Sequence, residues 1–323
     1  MTLLLDGQNS LDFILSSLDS KHNFASLLAA IVSLSTKGYI VSADHSLNSS
    51  TAAYWSALGA SPRWVELGLS DACVSVNEGQ GELERYLKEA GISIEKENPN
   101  LSVTVCDDYL AKEFAGTNQL NFDRKISWML VRPRGIEILF GPIFNAEKDG
   151  PCWMCLTNRL LHHQEVHNFL RYSLGEVKAF KAFATEPIVS KSIMSFVASE
   201  IVKWLVLHEL APLHQNSIAL NVSTLSLAQH RVLMRPQCSV CGDPELYRPN
   251  RKPAPVTLNS SPKNSRNSGG VHVVTPEETL AKYRHLVSPI SGVVSWLRRS
   301  TAETDSYLHV YWAGSNLVRV AEV

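Results

Sequence analysis

The sequence predicts an α/β protein, and three observations carry that prediction. From Cys73 onward, short apolar runs alternate with an amphipathic helix in the order strand, helix, strand. Two Cys-x-x-Cys pairs, Cys152/Cys155 and Cys238/Cys241, bracket the segment that follows. A Pro-, Ser- and Asn-rich stretch at 248–270 then separates this part from a final segment of mixed helix and strand character. With 323 residues, 45% of them hydrophobic, the chain is long enough to bury the cores of two domains. The expected arrangement is a partial winged helix, a Rossmann-like domain with a four-cysteine zinc knot, and a truncated start of an α+β unit.

Residues 8–58 read as helices with one short strand. Leu11, Ile14, Leu15 and Leu18 recur at helical spacing, as do Phe24, Leu27, Leu28, Ile31, Val32 and Leu34. Lys37-Gly38 stops the second helix, and Tyr39-Ile40-Val41 reads as a strand. Ser50 or Thr51 is placed to cap a further helix carrying Tyr54, Trp55 and Leu58. Helix, helix and short strand form the tail end of a winged helix.

The alternating part runs Cys73–Val76 as strand, Glu82–Ala90 as helix ending at Gly91, then Ile92–Ile94 and Leu101–Cys106 as strands. The turn Asn77-Glu78-Gly79-Gln80-Gly81-Glu82-Leu83-Glu84 invites a dinucleotide reading, but Glu84 stands where the third glycine belongs. Glu78, Glu82 and Glu84 would repel a pyrophosphate at the helix N-terminus, so the favoured reading is a Rossmann-like turn with no phosphate to hold. Asp107-Asp108 lies at the carboxyl edge of the sheet, where ligands bind in open α/β folds. Capping a helix begun by Tyr109-Leu110 is the favoured role there, with a magnesium site as the alternative. Trp128–Val131 and Ile136–Phe140 form a hairpin through Arg132-Pro133-Arg134-Gly135, closed by Gly141-Pro142.

After Cys155 a helix is expected through Leu156, Leu160 and Leu161 toward Phe169. His163 and His167 share a face at i, i+4, but the nearby Glu165 follows the first histidine by two residues instead of one. That offset turns its carboxylate about 100° around the helix, which favours a solvated histidine face over a metalloprotease site. Lys191–Leu210 reads as a long amphipathic helix with Ile193, Val197, Ile201, Trp204 and Leu205 as its core stripe and Pro212 as its stop. Strands at Ile218–Val222 and Thr224–Leu227 lead to the second cysteine pair. Beyond the linker, Thr275-Pro276-Glu277-Glu278 is a helix start with a capping box, and Gly292–Leu297 and Tyr307–Trp312 are strand-like.

The four paired cysteines supply the thiolates of a closed tetrahedral zinc site. A two-residue spacer lets both sulfurs of a pair reach one ion, and Gly242 leaves room for a tight knuckle backbone. Four thiolates leave no open coordination position, so the site is structural and contributes roughly 10 kcal/mol or more to folding. Disulfides would need an oxidising compartment, whereas Cys73 and Cys106 sit singly in strand-like runs and no signal peptide is evident. A redox pair or an iron–sulfur cluster remain the other readings of the pairs.

Composition narrows the partners. The net charge is −1 and the Lys and Arg residues are scattered, so the basic footprint of a nucleic-acid binder is missing. Phe24–Leu34 and Ile201–Leu207 are too short to span a bilayer, and the N-terminus has no basic-then-apolar targeting form. A cytoplasmic location without membrane or nucleic-acid partners is expected.

Several segments together resemble the cyanobactin heterocyclases: Cys152-Trp153-Met154-Cys155-Leu156 with Arg159-Leu160, Glu200-Ile201-Val202-Lys203-Trp204, and Arg235-Pro236-Gln237-Cys238-Ser239-Val240-Cys241-Gly242-Asp243. So do Tyr54-Trp55-Ser56-Ala57-Leu58-Gly59, Asp107-Asp108-Tyr109-Leu110, and the segment Gly269-Gly270-Val271-His272, Thr275–Thr279, Lys282-Tyr283, His285 and Ser288–Val294, which looks like the opening of a YcaO domain. The resemblance implies a partial winged-helix leader-recognition element at 1–60, an E1-like zinc domain at 61–247 and a linker at 248–270. A truncated YcaO start at 271–323 follows. Such enzymes are cyclodehydratases that use ATP and magnesium to convert cysteine, and in some cases serine or threonine, of a ribosomal precursor peptide into thiazoline or oxazoline rings.

By the same resemblance, Cys152, Cys155, Cys238 and Cys241 hold the structural zinc, and a leader peptide would pair by β-augmentation with the remnant at Tyr39, Ile40 and Val41. Relative to the family the chain begins inside the winged helix and stops in the first YcaO strands. No catalytic or cofactor-binding residue is therefore assigned, and ATP and magnesium belong to the full-length enzyme only. The expectation is a piece of a cyclodehydratase, inactive alone, that works with a precursor peptide and a YcaO domain. A complete, non-catalytic leader-binding scaffold serving a separate YcaO protein is the alternative, and an adenylating enzyme using the turn at Gly79 and Gly81 is a third reading. A homodimer is left open.

Overall fold

The computed structural model describes residues 4–18, 23–79, 81–144, 150–164, 169, 173, 185–247, 255–260, 262, 273–299 and 311–314. The chain opens with α1 (Leu11–Leu18), α2 (Phe24–Thr36), α3 (Ser49–Ala57) and α4 (Pro62–Ser70). Ile14 and Leu15 of α1 close on Leu27 and Ile31 of α2 in a small core of their own. The strand expected at Tyr39-Ile40-Val41 does not form: the chain there is turn and coil after Gly38 at φ 73°, and no strand among the described residues pairs with it. Extended backbone becomes a strand only when a neighbour takes its hydrogen bonds. The cap of α3 is Asn48, whose side chain accepts the Thr51 amide, and not Ser50 or Thr51. Ser61 caps α4 in the same way, with Pro62 at its first position, a start signal that periodicity alone passed over.

A seven-stranded sheet organises the rest. Its strands are β1 (Cys73–Asn77), β2 (Ser93–Ile94), β3 (Leu101–Val105), β4 (Ser127–Arg132), β5 (Glu137–Phe140), β6 (Asn216–Asn221) and β7 (Ser226–Arg231), in the order β2-β1-β3-β4-β5-β6-β7. The first four run parallel, whereas β5, β6 and β7 each pair antiparallel with the strand before them in space. The result is a Rossmann-like mixed sheet.

Alternation along β4 shows why the sheet is covered on both faces. Met129 and Val131 point into one core, while Trp128 and Leu130 point into the other. The first core is roofed by α5 (Glu82–Glu89) and a 21-residue helix, since Leu83 and Leu87 pack with Ile193, Val197, Ile201, Trp204 and Leu205. The second core is roofed by α6 (Glu113–Arg124) and α7 (Trp153–His163), through Phe114, Trp153, Leu156 and Leu160. The long helix is α8 (Pro187–Leu207). Its stripe is buried as expected, but it stops before Pro212, because His208 takes φ 47° and turns the chain into a short 3-10 segment. Burial of each large stripe residue stabilises by about 1.5–3 kcal/mol.

The helix after β3 also starts later than expected. Tyr109-Leu110 form a turn, and α6 begins at Glu113. Tyr109 is consumed by the core instead: its buried hydroxyl donates to the Leu130 carbonyl at 2.6 Å, with Gly141 O at 3.1 Å. Of the linker, residues 255–260 and 262 carry neither helix nor strand, and the remainder lies outside the described residues. Beyond it α9 (Pro276–Tyr283) has the complete capping box, Thr275 Oγ1 accepting the Glu278 amide and the Glu278 carboxylate accepting the Thr275 amide. A separate antiparallel pair, β8 (Trp296–Arg299) and β9 (Tyr311–Gly314), follows. Residues 292–295, expected within a strand, form a turn and bridge before β8, and 307–310 lie outside the described residues.

Candidate metal centre

Cys152 is the residue that precedes α7, and Cys155 sits in its first turn. Trp153 fixes this helix start. Its amide donates to Asn118 Oδ1 on α6 at 3.0 Å, its indole Nε1 donates to Tyr109 O at 2.8 Å, and its ring lies edge-on to Phe114. The helix N-terminus carries positive partial charge, which favours thiolates at both positions.

The second pair is built as a tight knuckle. The Cys238 amide donates to Arg235 O, the Gly242 amide to Cys238 O at 3.0 Å, and the Asp243 amide to Pro236 O at 2.7 Å. A Cβ on Gly242 would stand 2.4 Å from Pro236 O and 2.6 Å from Cys238 N, so only glycine closes the loop. From the same loop the Arg235 amide donates to Cys155 Sγ at 3.3 Å, which joins the two pairs.

All four sulfurs lie within 4.8 Å of one another, with Cys152–Cys238 at 3.6 Å and Cys155–Cys241 at 3.4 Å. Zinc–sulfur bonds of ~2.3 Å place the sulfurs of a tetrahedral site about 3.8 Å apart, so the donor set fits a metal ion of that size. Among the described residues no other group of three or more His, Cys, Asp or Glu side chains is gathered in this way. Hydrogen bonding among the thiols splits their acidities: the Cys152 thiol holds Cys155 down to about 7 and lowers Cys238 strongly, while Cys152 and Cys241 are pushed up by their neighbours. A cation at the centre lets all four carry the charge that mutual crowding otherwise denies them. The nearby Arg159 guanidinium is held below its ordinary range by burial first and by the charge of Arg235 second.

The remaining sequence candidates fall elsewhere. Cys106 is separate from the cluster, and burial pushes its thiol up to about 12. At the turn after β1, the Glu78 carboxylate accepts the Leu83 and Glu84 amides at the start of α5, at 3.2 and 2.9 Å. The chain's own carboxylate thus occupies the place a phosphate would take. Its acidity was legible in the sequence as repulsion, but its capping role was not. Asp108 Oδ1 accepts the Leu110 amide, a local turn and not a helix cap, and Asp107 is paired with Arg134 at 2.9 Å. His163 is half-buried against Gly292 and Ser295 and is not part of a solvated face, while Glu165 and His167 lie outside the described residues. Tyr39 is 75% exposed and remote from the sulfur cluster in sequence and element.

No protein-family model and no curated protein sequence matches the chain. Solved structures do. A heterocyclase in complex with substrate and cofactor is 33% identical, covering 95% of this chain and 42% of its own, with a TM-score of 0.75. The heterocyclase TruD is 32% identical over 89% of this chain and 42% of its own, with a TM-score of 0.70. Escherichia coli MccB with ATP is 14% identical over 70% of this chain and 84% of its own, with a TM-score of 0.52, a likeness of fold alone. The chain therefore has a heterocyclase-like, E1-like fold, and it spans less than half the length of the heterocyclases it matches. The fold expected from the sequence motifs is met. No helix among the described residues is long and apolar enough to cross a membrane.

Proposed function

We propose that this chain is the substrate-recognition and scaffold portion of an ATP-dependent peptide cyclodehydratase that forms thiazolines or oxazolines in a ribosomal precursor peptide. The observation that carries this reading is the likeness, across 95% of the chain at 33% identity, to a heterocyclase in complex with substrate and cofactor. In this reading 61–247 is the E1-like unit, 1–60 the leader-recognition element, and 271–323 the opening of the YcaO domain. Cys152, Cys155, Cys238 and Cys241 hold one structural zinc, which ties the start of α7 to the knuckle before residue 243 and takes no part in chemistry. Tyr39, Ile40 and Val41 are the proposed leader contact, since Tyr39 and Val41 present exposed apolar side chains in a segment that has no strand partner among the described residues.

Glu78 supports a scaffold over an adenylating role. Rossmann-like folds place phosphate at the first strand-to-helix turn, and here a carboxylate fills that place. The test is fluorescence anisotropy with a labelled precursor peptide from the same gene neighbourhood, run beside an ATPase assay. Leader-dependent binding with no ATP turnover by the chain alone is expected. Peptide-dependent ATP hydrolysis by the isolated chain would sink the proposal, as would absence of any peptide binding.

A further inference from the structure

Between α9 and β8 the chain folds back on itself and plugs into the E1-like unit. The Ser288 amide donates to Val294 O at 2.9 Å, the Gly292 amide to Ser288 O at 3.2 Å, and the Val293 amide to Leu286 O at 2.8 Å. A Cβ on Gly292 would lie 2.4 Å from Ser288 N, so the turn requires glycine. Although much of the surrounding segment is exposed, Ser288 is 5% and Ser291 1% exposed, and Ile290 packs on the core beneath α6 and α7. Burial of two serines demands partners, and β7 of the E1-like unit supplies them.

On β7, Ser291 Oγ donates to Arg231 O at 2.7 Å, and Ser288 Oγ lies 2.8 Å from His230 Nδ1. On α7, His163 Nε2 lies 3.0 Å from Gly292 O and its Nδ1 lies 3.0 Å from Ser295 Oγ. A carbonyl only accepts, so His163 Nε2 carries the proton and donates to Gly292.

The two histidines differ in what a second proton does. Ser288 Oγ already accepts the Ile290 and Ser291 amides, both at 3.1 Å. Its two lone pairs are thereby used, and its own proton is the one that goes to His230 Nδ1. A protonated His230 would aim N–H at a hydroxyl with no acceptor site left. At His163 the Ser295 hydroxyl can turn to accept, so that contact tolerates either state.

We propose that Ser288–Ser295 is an acid-released clasp, with His163 as its anchor and His230 as its trigger, that holds the chain beyond the linker against α7 and β7. Burial lowers the pKa of both rings below the ordinary 6.5, foremost among the causes at each. At His163 the Gly292 carbonyl opposes the effect of burial, while His162 and Arg159 of its own helix lower it further; at His230 Glu137 of β5 opposes the effect. Residues 287–295 bring no titratable side chain of their own. A ring that resists its proton when docked contributes docking free energy that is full above the ordinary value and is lost as pH falls through it.

Hydrogen–deuterium exchange of the full chain, corrected for intrinsic rates, tests this at pH 7.5 and 5.5. Protection of peptides covering 286–296 is expected to fall on acidification, by at most about tenfold across these two pH values for a ring whose undocked value is the ordinary 6.5. His230→Asn keeps a neutral acceptor toward Ser288 and is expected to reduce that pH dependence to the smaller share carried by His163, and Ser288→Ala to lower protection at both pH values. Equal protection of the unsubstituted chain at both pH values, or the same fall in His230→Asn, overturns the clasp. An NMR titration of the His230 ring needs no variant: protonation that accompanies loss of protection supports the proposal, and protonation with the segment still protected refutes it.

Discussion

Glu78 accepts the Glu84 amide at 2.9 Å, and this single contact decides what the first strand-to-helix turn can hold. The helix it caps is eight residues long and amphipathic, with Leu83 and Leu87 fully buried. Glu78→Ala is expected to destabilise the chain by about 1 kcal/mol through loss of the cap, read as a lower urea midpoint with unchanged slope. Inorganic pyrophosphate should stabilise Glu78→Ala more than the unsubstituted chain, because the amides are then free. Equal pyrophosphate effects on both would show that the carboxylate does not block the turn.

Gly242→Ala inserts a methyl group into a space where Pro236 O and Cys238 N already stand at 2.4 and 2.6 Å. The knuckle must open, and the expected outcome is metal loss with a lowered Tm, measured by elemental analysis beside thermal unfolding. Gly79→Ala meets nothing within 4 Å and should leave both values unchanged.

Cys238→Ser removes one of four ligands from a site whose sulfurs all lie within 4.8 Å. Purified variant should carry less than one metal ion per chain and unfold well below the unsubstituted protein. Treating the unsubstituted protein with a strong chelator should produce the same state. A variant of unchanged Tm and solubility would remove the structural role.

Cys106 should resist thiol reagents in the native protein at pH 8, since burial pushes its thiol up to about 12 and leaves little thiolate to attack. Mass-spectrometric mapping of alkylated peptides checks this, and rapid labelling of Cys106 before unfolding would contradict it.

Tyr109→Phe removes one of the two donors to the buried Leu130 carbonyl, the hydroxyl at 2.6 Å, and leaves the Gly141 amide at 2.9 Å. A cost of about 0.5–1.5 kcal/mol in urea denaturation is expected, with no pH dependence near neutrality, because burial holds the phenol well above its usual range in the folded state.

The parts of this structure that were legible in the sequence are those fixed by local chemistry. Thr275, Pro276 and Glu278 specify a helix start by themselves, and Gly242 after a Cys-x-x-Cys pair specifies a knuckle. Burial of β4 on both faces follows directly from its apolar run. What escaped was decided across the fold. Tyr39–Val41 has strand-forming residues, yet it has no strand neighbour among the described residues. Tyr109 reads as helix until its hydroxyl is claimed by carbonyls of β4 and Gly141, which holds the chain in a turn up to Glu113. His163 reads as a solvated face because its partners, Gly292 and Ser295, lie about 130 positions further along. The sulfur cluster was found because cysteine pairs announce a distant contact that most residue types do not.

Cys152 and Cys238 are 86 positions apart, so a metal at the sulfur cluster closes a ring of chain that includes α7, α8, β6 and β7. A cross-link of that span withholds from the unfolded chain conformational freedom worth roughly 4.5 kcal/mol, comparable to a long-range disulfide, without requiring an oxidant. The hydrogen bonds among β1, β2, β3 and β4 all form outside the ring, so the parallel half of the sheet can assemble first. An ion bound there would fasten the antiparallel half of the sheet, where β6 and β7 lie within the ring and β5 pairs with β6.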